Sequence, residues 1–211
     1  MTNWFTADLH LGHRNIINYC GRPFGGPEEM NAELVRRWNE TVEVGDTVWV
    51  LGDLALGRIT DSLALVGRLA GRKLLLAGNH DRCWHGHGRR AAGWTQRYLE
   101  AGFAEVHQGE IRLLLGGTAV RGCHFPYSGD SHDTDRYVEH RPVDRGDWLL
   151  HGHVHQRWLQ RGRMINVGVD VWDYRPVSEQ DLVGLVSAGP RDLPEGSQHP
   201  ARPEDRPAQR Q

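Results

Sequence analysis

Apolar runs in this chain stop at the same few residue types. The run over 3–7 ends at Asp8-Leu9-His10, the run over 47–51 at Gly52-Asp53, and the run over 73–77 at Gly78-Asn79-His80-Asp81. Two later runs end at Gly122-Cys123-His124 and at His151-Gly152-His153-Val154-His155. Asp and Asn favour turns and helix caps, so any one of these endings is ordinary. Turn chemistry does not explain four histidines in matching places. In open α/β sheets, ligands bind beyond the carboxyl ends of the strands. A fold that aligns these ends would gather Asp8, His10, Asp53, Asn79, His124, His153 and His155 on one rim.

The pattern around these endings fits such a fold. Residues 27–42 read as a helix, with Pro27 in the first turn, Glu28 and Glu29 at the positive dipole end, and Met30, Leu34 and Trp38 four apart. Residues 60–70 read as a second helix. Strand and helix therefore alternate over the first 80 residues, as in a parallel sheet with right-handed crossovers. After residue 100 the chain turns strand-rich: 111–115 and 118–123 flank Gly116-Gly117, a tight hairpin signature. Further short strands are expected at 147–150, 163–169 and 182–187. The fold class is α/β, a two-sheet β-sandwich flanked by helices. Residues 1–188 form the domain, and 189–211, which hold five of the ten prolines and almost no large apolar residue, read as a disordered tail.

Charge and cysteine content narrow the setting. A net charge of −2 over 211 residues gives no overall basic excess for duplex nucleic acid. No apolar run approaches membrane-spanning length, and the start, Met1 to His10, lacks the features of a secretory signal. Cys20, Cys83 and Cys123 are widely spaced, which fits a reducing cytosol rather than a disulfide framework. A cytoplasmic protein is expected, with neither membrane nor duplex partner.

Three carboxylate or amide oxygens and four imidazoles suit first-row dications: Mn, Fe, Zn, Ni or Co. The lack of neighbouring cysteines argues against a closed structural zinc site. The set exceeds what one ion takes, and two ions sharing a carboxylate fit it.

The ordered set DxH, GD, GNHD, a lone His and GHxH, from Asp8 to His155, resembles the calcineurin-like metallophosphoesterase superfamily. The opening Asp8-Leu9-His10-Leu11-Gly12-His13-Arg14 resembles its small bacterial and phage branch. The resemblance implies a metallo-dependent phosphatase-like fold of four layers, αββα. It implies that Asp8, His10 and His155 hold one metal, that Asn79, His124 and His153 hold the other, and that Asp53 bridges them. Two divalent ions, Mn2+ first among them, would then deliver a shared hydroxide to a phosphoester. His80 lies outside this ligand set and is the expected general acid, with Asp81 accepting a hydrogen bond from its second ring nitrogen.

Other residues carry two readings. His13 and Arg14, at the start of a short helix, are candidate substrate contacts, against a solvated histidine and a surface arginine. The run from Cys83 to Gly88 matches no common zinc spacing and is expected to be a lid or surface loop. His151 is expected to pack behind the GHxH turn. Trp84, Trp94 and Trp172 are expected in packing, with substrate stacking by Trp84 and His85 as the rival.

The substrate is narrowed by what is missing. Gly52-Asp53 continues into Leu54-Ala55-Leu56-Gly57 with no arginine, and the third motif ends in Asp81 rather than Glu, unlike Ser/Thr protein phosphatases. A diester carries less charge than a monoester and needs less cationic clamping. The expected partner is a small nucleotide-type phosphodiester, 2′,3′-cyclic nucleotides included. A phosphomonoesterase on small metabolites and a catalytically silent scaffold of the same fold are the alternatives. Because metal-binding imidazoles must be neutral, an alkaline-leaning optimum is expected.

Overall fold

The computed structural model describes residues 1–194. Strands β1 (Asn3–Thr6), β2 (Thr47–Val50), β3 (Arg72–Leu76) and β4 (Phe103–His107) pair in parallel, in that order. Parallel neighbours need crossovers. Helices α1 (Arg14–Tyr19) and α2 (Pro27–Thr41) lie between β1 and β2, α3 (Ile59–Ala64) between β2 and β3, and α4 (Trp94–Ala101) between β3 and β4. Strands β5 (Glu110–Leu115), β6 (Thr118–Cys123), β7 (Trp148–His151), β8 (Trp158–Gly162) and β9 (Met164–Asn166) build the second sheet. Strand β10 (Val177–Ser178) returns to pair antiparallel with β1, helix α5 (Glu179–Ser187) follows, and β11 (Arg191–Pro194) pairs with β8. The expected hairpin is β5–β6, closed by Gly116 and Gly117 at φ 53° and 86°. A two-residue hairpin turn with positive φ at both positions favours glycine.

The two sheets face each other across one apolar cluster. Phe5, Leu51 and Leu76 come from the first sheet, and Val120, Leu150 and Ile165 from the second. On the other side of the first sheet, Val48, Val50 and Leu75 meet Met30, Leu34 and Trp38 of α2 and Tyr98 of α4. Adjacent residues Leu75 and Leu76 serve opposite faces, as the strand pleat requires. A strand buried on both faces needs apolar residues at every position, which is why these runs are continuous rather than alternating. No helix among the described residues is long and apolar enough to cross a membrane.

Several expectations give way. Residues 182–187 are not a strand but the core-facing part of α5. Ser178 caps that helix by accepting the Asp181 N–H at 3.1 Å, a Ser-x-x-Asp start signal that outweighs the valines which follow. The tail expected from residue 189 begins with β11; residues 195–211 lie outside the described residues. The helix expected over 60–70 stops at Ala64 and tightens into a 3-10 turn, Leu65–Arg68, around Gly67. The strand expected over 163–169 is confined to Met164–Asn166, and α4, β4 and β8 add elements that no sequence signal marked. The fourth layer also differs. Between β6 and β10 the described residues contain no α-helix, and Leu182 and Leu185 of α5 enter the inter-sheet cluster instead.

Candidate metal centre

The turns bearing the donors leave the carboxyl ends of β1, β2, β3, β6 and β7. The first two turns run on together: the Asp8 N–H donates to the Gly52 carbonyl and the His10 N–H to the Asp53 carbonyl, each at 3.0 Å. Five donors hold left-handed backbone: Asp8 (φ 57°), His10 (52°), Asp53 (54°), His153 (72°) and His155 (50°). Such conformations cost a non-glycine residue about 1–2 kcal/mol and persist where surrounding structure enforces them, typically at functional sites. Close approach dictates the flanking glycines. A Cβ on Gly52 would stand 2.5 Å from His124 Nδ1, and one on Gly152 would stand 2.8 Å from Asp8 Oδ2.

All seven sequence-nominated donors meet. Asp53 Oδ2 stands at the middle, 3.4 Å from His124 Nε2, 3.7 Å from His10 Nε2 and 4.0 Å from His80 Nε2. On one side, donor atoms of Asp8, His10 and His155 lie within 4.8 Å of one another. On the other, Asn79 Oδ1 lies 3.1 Å from both His124 Nε2 and His153 Nδ1. His124 donates from Nδ1 to the Leu51 carbonyl at 2.8 Å, which leaves Nε2 for the centre.

The residues fit divalent cations. Both ring nitrogens of His10 are buried without a hydrogen-bond partner among the described residues. A buried polar atom left unpaired is costly, and a cation would satisfy it. Burial drives His10 well below its usual pKa, so its lone pair is free. Burial alone would raise Asp53, but His124 and His80 outweigh it and hold the carboxylate well below its ordinary value. Burial likewise opposes the charged form of His124, yet Asp53 lifts it to about 9. Burial pushes Asp8 up to about 6 and His153 down to about 4.

Residues that the sequence did not nominate hold the donors in place. Asp130 Oδ2 accepts from His153 Nε2 at 2.9 Å, which turns Nδ1 towards Asn79. Arg136 and Arg141 bind the same carboxylate at 2.7 Å and 3.2 Å. Asp170 Oδ2 lies 3.6 Å from His155 Nδ1, an electrostatic contact rather than a hydrogen bond. Arg22 binds both Asp170 oxygens, at 2.8 Å and 2.9 Å, and also donates to the carbonyls of Asp8 and Leu9. No motif marks Asp130 or Asp170; Asp130 follows donor-bearing β6, and Asp170 follows β9, which bears no donor.

Asp81 does not do what was expected of it. Its Oδ2 accepts from the N–H groups of Asp53 and Gly78, both at 2.9 Å, and its Oδ1 from Leu54 N–H at 3.1 Å and the Tyr98 hydroxyl at 3.3 Å. Main-chain donors from two turns converge on this buried carboxylate, so it fixes the backbone and does not touch the His80 ring. His80 is 41% exposed, 5.3 Å from the His10 ring. A cavity of about 460 Å³ opens over the centre, with His13, Tyr19, His80 and Arg136 on its walls. His13 thus reaches the cavity, whereas Arg14 is exposed and does not line it. His151 packs behind the turn as expected, buried with Nδ1 on the Gly152 carbonyl at 2.7 Å. Trp84 and Trp172 are buried in packing.

No family model matches the chain. The crystal structure of AQ665 from Aquifex aeolicus, a protein of unknown function, superposes with a TM-score of 0.66 at 26% identity, covering 87% of this chain and 98% of that one. The uncharacterized protein MJ1445 of Methanocaldococcus jannaschii is 31% identical over 88% of this chain and 92% of its own length. The gene 66 proteins of mycobacteriophages L5 and D29 are each 36% identical, over 87% and 88% of this chain and 93% and 98% of theirs. At that identity and coverage, the chain belongs to the family of the phage gene 66 proteins.

Proposed function

We propose that the protein is a dinuclear metal-dependent phosphoesterase that hydrolyses nucleotide-type phosphodiesters, 2′,3′-cyclic nucleotides among them. The observation that carries this reading is the Asp53 carboxylate, whose Oδ2 stands between His10 Nε2 at 3.7 Å and His124 Nε2 at 3.4 Å, one from each donor group. Asp8, His10 and His155 would hold one divalent ion, Asn79, His124 and His153 the other, and Asp53 both. Such a pair, Mn2+ before Fe, Zn, Ni or Co, supplies a nucleophile at neutral pH and neutralises charge on the phosphoryl oxygens. The protein's own contribution is to hold these donors rigid through Asp81, Asp130 and Asp170. His80, on the cavity wall and part exposed, protonates the leaving oxygen. The motif order supports the reading, and the missing arginine after Asp53 favours a diester over a monoester.

The test is metal content followed by hydrolysis of bis-p-nitrophenyl phosphate and of cyclic and linear nucleotides with Mn2+. Activity should vanish on chelation and return with metal. His80→Ala should keep both ions and lose most turnover on substrates with poor leaving groups. A protein that binds no metal and turns over no ester is the scaffold instead. Preference for monoesters over diesters would replace the substrate class.

A further inference from the structure

The segment that follows His80 is the most basic stretch of the chain. Residues 82–99 contain Arg82, Arg89, Arg90 and Arg97, with no Asp or Glu, in a protein of net charge −2. None of the four is paired with a carboxylate among the described residues. Two of them ride on an aromatic face instead: the guanidinium of Arg97 lies 4.6 Å from the Trp94 ring centre and that of Arg82 lies 6.0 Å from it. Arg82, His87, Arg90 and Trp94 line a recess of about 350 Å³.

An ordinary solvated basic face spreads its charges apart and encloses nothing. Here three cationic or ionisable groups surround a recess with an indole on its wall. Arg82, on the recess wall, stands two positions past His80, which lines the cavity over the donors. Arginine offers a planar fork to phosphate oxygens, and half-buried Trp94, packed against the core, holds the Arg97 guanidinium over its ring.

We propose that the Arg82–His87–Arg90–Trp94 recess binds a second phosphate of the substrate, so that the preferred ester is the end of an oligonucleotide rather than a lone nucleotide. The inference rests on the phosphodiesterase reading for its scissile group and on the recess alone for the extra phosphate. A single strand is the form that fits: its backbone places successive phosphates one nucleotide apart, so a neighbouring phosphate can meet Arg82 and Arg90.

The experiment has two arms, so that each reading can fail separately. In the first, a 5′-fluorescein tetrauridylate is titrated with the full-length protein in EDTA, where no turnover occurs, at rising NaCl. Each phosphate contact adds about −0.7 to the slope of log affinity against log salt for single strands. Arg82→Ala/Arg90→Ala should weaken binding about tenfold and flatten the slope by about 1.4, with an unchanged melting temperature. A control that removes the same charge elsewhere, Arg68→Ala/Arg112→Ala, should stay within about twofold. Equal weakening by both pairs, or by neither, overturns the recess. In the second arm, uridine 2′,3′-cyclic phosphate is compared with UpU ending in the same cyclic phosphate, with Mn2+ present. The dinucleotide should have the lower KM, and the Arg82/Arg90 pair of substitutions should erase that advantage. Loss of hydrolysis of both esters with strand binding intact would overturn the phosphodiesterase reading and leave the recess standing.

Discussion

The two donor groups on either side of Asp53 are supported in different ways. On one side, His155 faces Asp170, whose charge is met by Arg22; both side chains are almost wholly buried, and Arg22 also ties down the carbonyls of Asp8 and Leu9. That support is part of the core. On the other side, His153 is held by Asp130, which sits outside regular structure between β6 and β7. Asp130 is fixed there by Arg136, which is 38% exposed, and by Arg141. The same segment places Ser131, His132 and Arg136 on the cavity wall. One donor group is therefore built into the fold, and the other is coupled to the wall of the cavity over the centre. The lesson is that similar carboxylate–histidine contacts can sit at very different depths of the stability hierarchy.

The sharpest way to break the comparison is to remove what the two groups share. Asp53→Ala should lower turnover by about a thousandfold or more, since metal charge stabilisation is worth several kcal/mol. It should also weaken both ions together in a calorimetric titration. Loss of one ion alone would show that Asp53 is not shared.

Next, Arg22→Met leaves the buried Asp170 without its counter-charge. Breaking a buried pair costs about 3–5 kcal/mol, a drop of about 10 °C in melting temperature for a chain of this size. A melting temperature within a degree or two of the parent would refute the core-built description. Asp130→Asn should be milder for the fold but selective for function. It should weaken one ion by about 10–100-fold and leave the other unchanged, read as a split of the two binding steps. Equal weakening of both would erase the distinction between the sides.

The smallest effect is a pH tilt. His124, lifted to about 9, and His155, also raised, belong to opposite donor groups. A raised imidazole stabilises the fold fully below its unfolded value, about 6.5, and loses that contribution as pH rises through the folded value. The metal-free protein should therefore melt at lower temperature as pH goes from about 6.5 to about 9. Bound ions need neutral imidazoles and release protons, so saturating Mn2+ should reverse the slope. His124→Asn should flatten the metal-free slope only in part, because His155 remains. An unchanged slope would mean that His124 is neutral.

Much of this centre is legible in the sequence. Each donor follows a buried run, and residue type alone selects them, because few other reasons place imidazoles at strand ends. The supports are not legible. Asp130 and Asp170 sit in stretches with no motif. Asp130 and His153 stand 23 positions apart in the chain and meet only because β6 and β7 pair. Adjacency of Asp81 to His80 in the chain suggests contact, while the turn geometry sends its carboxylate to the main chain. The valines of α5 suggest a strand and mask a cap signal that the sequence does contain.

The sequence by itself determined the alternating halves, the apolar strands and the chemistry at their ends, since burial and ligand type are local properties of residues. Only the tertiary structure decided that Asp53 stands between two donor groups and that Asp81 braces turns. The structure also decided which arginines are spent on carboxylates and which surround an open recess. Those facts depend on long-range pairing of β1 with β2 and of β6 with β7, and no local pattern encodes the distance between residues brought together that way.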